Sequence, residues 1–317
     1  MTTGKEGAEA SLKQNGKTFH WARRFLGDEM GAEAAQLYAF CRILDDMADG
    51  DIEDGPKRLT ALYKDLKSNR AITDPDLEML IPFMEKHDLP RDVVIALIDG
   101  LLMDQKPVAV RDQDSVVRYG YHVAGTVGIL MCSILTLKPI AGLDEAKVHP
   151  AYHHAIDMGI GMQLTNIARD VLEDAQMGRR YLPEPWVNGL SAKDIAKAAA
   201  TRDEDKIMIV RGAIQKLLGL AEQYYESGMA GLRYLPLRAH LAILIAGRAY
   251  RQIGLKLVRQ GTNWHEGRVI TSTPTKIATS LHALPQMTTR FSALPVHEGA
   301  HEGKLHLALK GLPYVHA

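Results

Sequence analysis

The chain has 317 residues, 46% hydrophobic and 24% charged, with 38 basic and 38 acidic residues and a formal net charge of zero. That composition supplies the core of one large domain or two modest ones, and the balanced charge argues against a nucleic-acid binder, which carries an excess or a stripe of Lys and Arg. Only two cysteines occur, Cys41 and Cys132, far apart and in no CxxC spacing; they argue against a disulfide framework or a zinc site and fit a reducing, cytoplasmic setting.

Met1 to Gln14 is polar and mixed in charge, without the apolar stretch of a signal peptide. Beyond it, strand-like alternation is scarce and apolar residues recur at helical spacing. The first clear helix is Ala32–Asp49, with Leu37, Phe40, Cys41, Leu44 and Ala48 on one stripe. Pro56 is expected to open the next, which carries Leu59, Leu62, Tyr63 and Leu66. Helices are predicted over Pro75–Lys86 and Pro90–Met103, with Asp88 and Leu89 as the cap and first turn before Pro90. Ser115–Leu137 contains the longest apolar run, Val123 to Leu137. It is about five residues short of the roughly 20 that span a membrane, and reads as a buried core helix. Pro150–Asp174, Ser191–Ala200, Glu204–Gly228 and Leu237–Gln260 follow. Gly178–Pro185 and Thr262–Thr275 read as loops, the second with some β-branched character. The expectation is a single all-α domain over 1–284, then an irregular tail over 285–317, rich in His and Gly, that packs loosely or is disordered.

Two segments share a pattern. Arg42-Ile-Leu-Asp45-Asp46-Met-Ala-Asp49 and Asn166-Ile-Ala-Arg169-Asp170-Val-Leu-Glu173-Asp174 each contain D-x₃-D. Helical positions i and i+4 share a face, roughly 6 Å apart. Asp45 and Asp49 therefore align, as do Asp170 and Asp174, and Asn166 extends the second row by one turn. A single such pair is ordinarily a solvated acidic face. Two pairs, each following an apolar run, point to a compensating cation. Mg²⁺ takes one or two carboxylates and completes its octahedron with waters and substrate phosphates. Facing rows in a helical bundle would hold several such ions around a diphosphate and ease its departure from an allylic carbon. Arg42, Arg169, Arg179 and Arg180 flank the rows as candidate diphosphate partners; the plainer reading is that each pairs with a neighbouring acid.

At these residues the sequence resembles the phytoene and squalene synthase family. Gln163–Pro183 (QLTNIARDVLEDAQMGRRYLP) is similar to the phytoene synthase signature, and Leu37–Gly50 to the first aspartate-rich motif. Gly16-Lys17-Thr18-Phe19 resembles the N-terminal K-S-F element, Tyr119 to Gly128 the Y-x-Y-x-V-A-G-x-V-G element, and Ala249-Tyr250-Arg251 with Arg268–Lys276 the C-terminal core. The resemblance covers roughly residues 11 to 280. It implies an isoprenoid-synthase-type helical bundle with a central cavity. By it, Asp45, Asp49, Asp170 and Asp174, with Asn166 nearby, bind Mg²⁺, with Mn²⁺ as the alternative ion. Lys17, Arg42, Arg169 and Tyr250 hold diphosphates, and Phe19, Tyr38, Tyr119, Gln163 and Tyr181 line the chamber. The implied reaction ionises one prenyl diphosphate and adds its cation to the double bond of another; the resulting cyclopropyl diphosphate rearranges to a 1–1′ product. Thr18 replaces the usual Ser, Gly261-Thr-Asn-Trp264-His265 departs from the usual turn, and no motif matches the tail.

The resemblance implies condensation of two geranylgeranyl diphosphates, with a carotenoid desaturase acting downstream and peripheral membrane contact suited to greasy substrates. The alternatives are the same chemistry on farnesyl diphosphate, and a non-catalytic helical scaffold. No G-x-G-x-x-G follows a strand, so no nicotinamide site is expected. Gly125 and Gly128 read equally as a smooth cavity wall or as close helix packing. The histidine pairs His149/His153 and His297/His301 have the spacing of ligands but no evident third partner, and His122 reads as a packed core residue.

Overall fold

In the computed structural model residues 22–136, 150–268 and 301–316 are described. Where the apolar stripes run, helices form: α1 (Asp28–Asp49), α2 (Gly55–Lys67), α3 (Leu80–Lys86), α4 (Arg91–Met103), α5 (Gln113–Gly120), α6 (Thr126–Leu135), α7 (Pro150–Gln176), α8 (Ala192–Thr201), α9 (Glu204–Ala230) and α10 (Leu237–Arg259). Among the described residues the sole β pairing is an isolated parallel bridge, Ala109 to Arg180. No helix there is long and apolar enough to cross a membrane.

Several ends follow from local chemistry. Pro56 stands in the first turn of α2, as expected. The Asp112 side chain accepts from the Ser115 amide at 2.8 Å and caps α5, while Ser191 and Asp194 form a reciprocal capping box on α8. Helix α3 starts five residues later than predicted. Arg58 clamps Asp74 at 2.7 and 2.8 Å and Asp76 at 2.6 Å, and Asp74 also accepts from the Asp76 amide, which holds this stretch in turns. Asp88 does not cap α4: it lies in the left-handed region at φ 50° and Pro90 takes the cap position.

The helix predicted over Ser115–Leu137 is interrupted by a π-helical turn, Tyr121–Gly125, between α5 and α6. Helix α7 is the centre of the bundle and packs against α6, α8, α9, α10 and the π turn. Its contact with α6 and the π turn needs two glycines. A Cβ on Gly128 would lie 2.2 Å from the Ala155 carbonyl oxygen, and one on Gly159 would lie 2.3 Å from that of Ala124. Gly128 also lines the central cavity, so it serves both roles weighed from the sequence.

Residues 301–316, expected to pack loosely, are instead well seated. A 3₁₀ helix, Gly303–Leu309, buries Leu305, His306 and Leu309. The Tyr224 hydroxyl donates to the Leu305 carbonyl at 2.9 Å, Tyr121 to that of Pro313 at 2.6 Å, and Arg118 to that of Ala308 at 2.8 Å. Donors on α5, the π turn and α9 thus satisfy a segment too irregular to satisfy itself, which periodicity does not reveal.

Gly128→Val should lower stability by about 3 kcal/mol, because the clash is with backbone that cannot rotate away. The urea midpoint measures it, and an unchanged midpoint would mean that α6 and α7 are not in this contact.

Candidate active site

Helix α1 buries Leu37, Phe40 and Leu44 in the core and turns Tyr38, Arg42 and Asp45 to a cavity of ≈ 400 Å³. From α7 come Gln163 and Asn166, and the lining continues back along that helix to Ala151, about 22 Å at roughly 1.5 Å per residue. Val123, Val127, Met131 and Leu135, spaced by one turn, give the cavity an apolar wall. Tyr119 and Tyr250 complete the polar end.

The acidic rows are crowded and half-buried. Burial pushes the Asp45 carboxyl up to about 6, and Asp49, Asp46 and Asp104 add to the rise while Arg42 opposes it. Arg42 donates to Asp45 at 2.7 Å and also pairs with the buried Asp46. Asp174 is raised to about 7, again first by burial and then by Asp170, with Arg179 opposing. Asp170 receives Arg169 at 2.6 Å and Arg268 at 2.9 Å. Arg179 links the rows, reaching Asp49 at 3.1 Å and the Asp104 carbonyl at 3.2 Å. Asn166 Oδ1 is buried with no hydrogen-bond partner.

Asp104 was not singled out from the sequence. It accepts the Tyr119 hydroxyl at 2.7 Å and the Tyr181 hydroxyl at 2.8 Å, and the two rings stack with centroids 4.6 Å apart. Burial raises its carboxyl, and its charge raises those of Asp45 and Asp174 in turn, so it is felt by both rows. It has no acidic neighbour at i±4; its one sequence signal is that it closes the apolar helix α4.

Of the predicted site residues, Tyr38, Arg42, Asp45, Tyr119, Gln163, Asn166 and Tyr250 line the cavity. Asp49, Arg169, Asp170, Asp174 and Arg179 gather at the same polar end without lining it. Tyr181, expected in the chamber wall, instead stands against Tyr119, held there by stacking and by Asp104. Lys17 and Phe19 lie outside the described residues. Arg180 is corrected as a diphosphate partner: it is buried and donates to the carbonyls of Val110 at 2.9 Å and Leu182 at 2.7 Å, pinning the loop after α7 to the strand-like stretch after α4. His122 is packed in the core, its Nδ1 2.8 Å from the Ala96 carbonyl oxygen.

A strand-poor bundle with two acidic helical rows at the polar end of a deep apolar cavity defines an isoprenoid-synthase-type fold. The chain belongs to the squalene/phytoene synthase family, which it matches over residues 12–275. It is 32% identical over 292 residues to a 15-cis-phytoene synthase of Enterobacter agglomerans, covering 88% of this chain and 94% of that one. It is 33% identical over 279 residues to a 15-cis-phytoene synthase of Paracoccus sp., covering 84% and 86%. In fold it resembles a dehydrosqualene synthase solved with a ligand (TM-score 0.73, 23% identity, 90% of this chain and 96% of that one). It also resembles squalene synthase HpnC from Alicyclobacillus acidocaldarius (TM-score 0.66, 21% identity, 82% and 94%).

Two predictions follow from this geometry. Arg180→Ala takes the Leu182 carbonyl's donor and one of the two on the Val110 carbonyl, which keeps the Glu184 amide, and should cost about 2 kcal/mol of stability in a urea melt, whereas Arg179→Ala should change stability by less than about 1 kcal/mol; equal losses would contradict the division of labour. The second concerns pH. An ordinary aspartate titrates near about 4, so the folded chain binds the Asp45 and Asp174 protons more tightly than the unfolded chain does. The stability they contribute is full below about pH 4 and is lost as pH rises through about 7. In chelator, Asp174→Asn should therefore raise the melting temperature at about pH 8 and change it little at about pH 5. The same shift at both pH values would show that Asp174 carries no raised pKa.

Proposed function

We propose that this chain is a 15-cis-phytoene synthase, a prenyl-transferring enzyme that condenses two geranylgeranyl diphosphates head to head, releases diphosphate and uses no nicotinamide. The observation that carries this reading is near-full-length identity of 32–33% to 15-cis-phytoene synthases. The cavity, apolar along its length and acidic at one end, is consistent with it.

In this reading Asp45, Asp49, Asn166, Asp170 and Asp174 hold Mg²⁺, or Mn²⁺ in its place. Their chemistry fits: Asn166 offers a buried oxygen with no partner, and burial and like charge leave Asp45 and Asp174 in need of positive charge. When bound, the ion neutralises diphosphate and makes the allylic C–O bond easier to ionise. The protein does the rest. Arg42, Arg169 and Arg179 supply the cationic groups for diphosphate oxygens at the acidic end, and the family resemblance gives Lys17 the same role. Asp104 and Tyr181 fix the Tyr119 ring against the cavity, where an aromatic face stabilises a cation by about 0.5–2 kcal/mol. Tyr38 and Tyr250 are kept as neutral phenols by burial, which pushes Tyr38 up to about 12. The Val123–Leu135 wall excludes water, so the cation meets the second substrate's double bond rather than a hydroxyl. Loss of a proton closes the cyclopropyl diphosphate, the second diphosphate then leaves, and loss of a second proton from the rearranged cation gives the hydrocarbon. Residues 1–284 form the catalytic unit of this proposal. Its apolar product makes a carotenoid desaturase and the membrane surface its partners.

The test is product analysis with purified protein and Mg²⁺, offering geranylgeranyl and farnesyl diphosphate separately without nicotinamide. The expected product is a C40 hydrocarbon from the C20 substrate alone. A C30 product would move the assignment to farnesyl diphosphate, and no product from folded protein would favour the scaffold. Asp45→Ala and Asp170→Ala should each abolish turnover while the protein remains folded; near-wild-type activity in either would sink the metal assignment.

A further inference from the structure

On the part of α7 that does not line the cavity, a second cluster forms that the reaction does not use. Its centre is Asp157, whose side chain is 0% exposed. Three groups converge on its carboxylate. Ser227 from α9 donates to Oδ2 at 2.5 Å, His301 Nε2 lies 2.8 Å from Oδ2, and His306 Nε2 lies 3.0 Å from Oδ1. Among the described residues no Lys or Arg pairs with it. Its donors are one hydroxyl and two imidazoles, and a nearby cation lowers the cost of burying a carboxylate.

The hydrogen bonds assign the imidazole protons. The His316 amide donates to His306 Nδ1 at 3.0 Å, so His306 carries its proton on Nε2 and gives it to Asp157. A neutral His301 that donates Nε2–H to Asp157 has its lone pair on Nδ1. That atom lies 3.4 Å from His316 Nδ1. The His153 ring lies nearly parallel to that of His316, centroids 4.8 Å apart at 10°, so one of the two rings must turn to bring both lone pairs onto one ion. His153 is only 7% exposed, and its Nε2 is buried without a hydrogen-bond partner. One ring nitrogen from each of His153, His301 and His316 lies within 4.8 Å of the other two.

We propose that His153, His301 and His316 form a binding site for a divalent transition metal of the zinc type, separate from the acidic rows. Zinc takes imidazole nitrogens at roughly 2.0–2.1 Å in a tetrahedron, which sets ligand nitrogens about 3.3 Å apart; the His301–His316 approach of 3.4 Å already has that spacing. Asp157 stands behind His301 as the carboxylate stands in a carboxylate–histidine–zinc arrangement, fixing the tautomer and making the ring a better ligand. Nitrogen donors select zinc-like ions over Mg²⁺, which prefers oxygen. Three protein ligands leave a fourth position for water. The ligands come from α7 and from residues 301–316, so the ion staples that segment onto the central helix. The inference does not depend on the substrate proposed above.

The test uses the untagged chain, stripped with chelator and dialysed, without Mg²⁺. Titrated Co²⁺ should give the visible absorption of a tetrahedral nitrogen-ligated ion, saturating at one equivalent and displaced by Zn²⁺, and Zn²⁺ should raise the melting temperature. His316→Ala, at an exposed position that leaves the core intact, should weaken binding at least about 100-fold. Asp157→Asn should weaken it by about 10–100-fold. Asp170→Asn, in the acidic row, should leave the Co²⁺ spectrum unchanged. Absence of stoichiometric binding in the wild-type chain would overturn the proposal and leave the cluster as a hydrogen-bonded network. So would a Co²⁺ spectrum and affinity that survive both His316→Ala and His153→Gln.

Discussion

The close approach of α7 to α6 and the π turn before it is the constraint on which the rest of the molecule depends. Gly128 and Gly159 let backbone meet backbone where any side chain would collide with a carbonyl oxygen. With that contact in place, one side of α7 lines the cavity from Ala151 to Asn166 while the other carries Asp157 into the C-terminal cluster. A 27-residue helix spans about 40 Å, enough to reach from the apolar depth of the chamber to its acidic end. The π turn at Tyr121–Gly125, packed against α7, lies between Tyr119 and the apolar wall. Such turns are frequent at functional sites because they re-aim side chains within an otherwise regular helix.

The acidic end is assembled against its own electrostatics. Burial raises the proton affinity of Asp45, Asp104 and Asp174, and the neighbouring charges of Asp49, Asp104 and Asp170 add to the effect. Guanidinium groups pair with each row, Arg42 with Asp45, Arg169 and Arg268 with Asp170, and Arg179 across to Asp49. In the proposed reading diphosphate takes over these guanidinium groups, exchanging one set of charge pairs for another. An arrangement that destabilises the empty fold persists because the apolar core offsets it.

Residues 301–316 show a different use of polarity. Little regular structure satisfies their backbone, so Tyr121, Tyr224 and Arg118 supply donors from the bundle. His301 and His306 meet a buried carboxylate rather than water. The segment is held by a few specific polar contacts around a small apolar patch, Leu305 and Leu309, instead of by an amphipathic stripe.

Local periodicity decided the helices, since burial of a stripe every 3.6 residues is written into neighbouring positions. It also set Asp45 with Asp49, and Asp170 with Asp174 and Asn166, because i and i+4 share a face whatever the fold. The late start of α3 escaped it, because Arg58 reaches residues 16 and 18 positions away. So did Asp104, which has no acidic partner along its own helix and gains its place through Tyr119 and Tyr181. Arg179 and Arg180 are adjacent in sequence, and only the bridge to residues 108–110 turns one toward the acidic end and the other into the core. His153 and His301 each belong to a pair with ligand spacing, yet the fold joins one member of each with His316. Ligand convergence is a property of distance in space, and separations of 144 to 149 residues, as between Asp157 and its two histidines, leave no trace in local pattern.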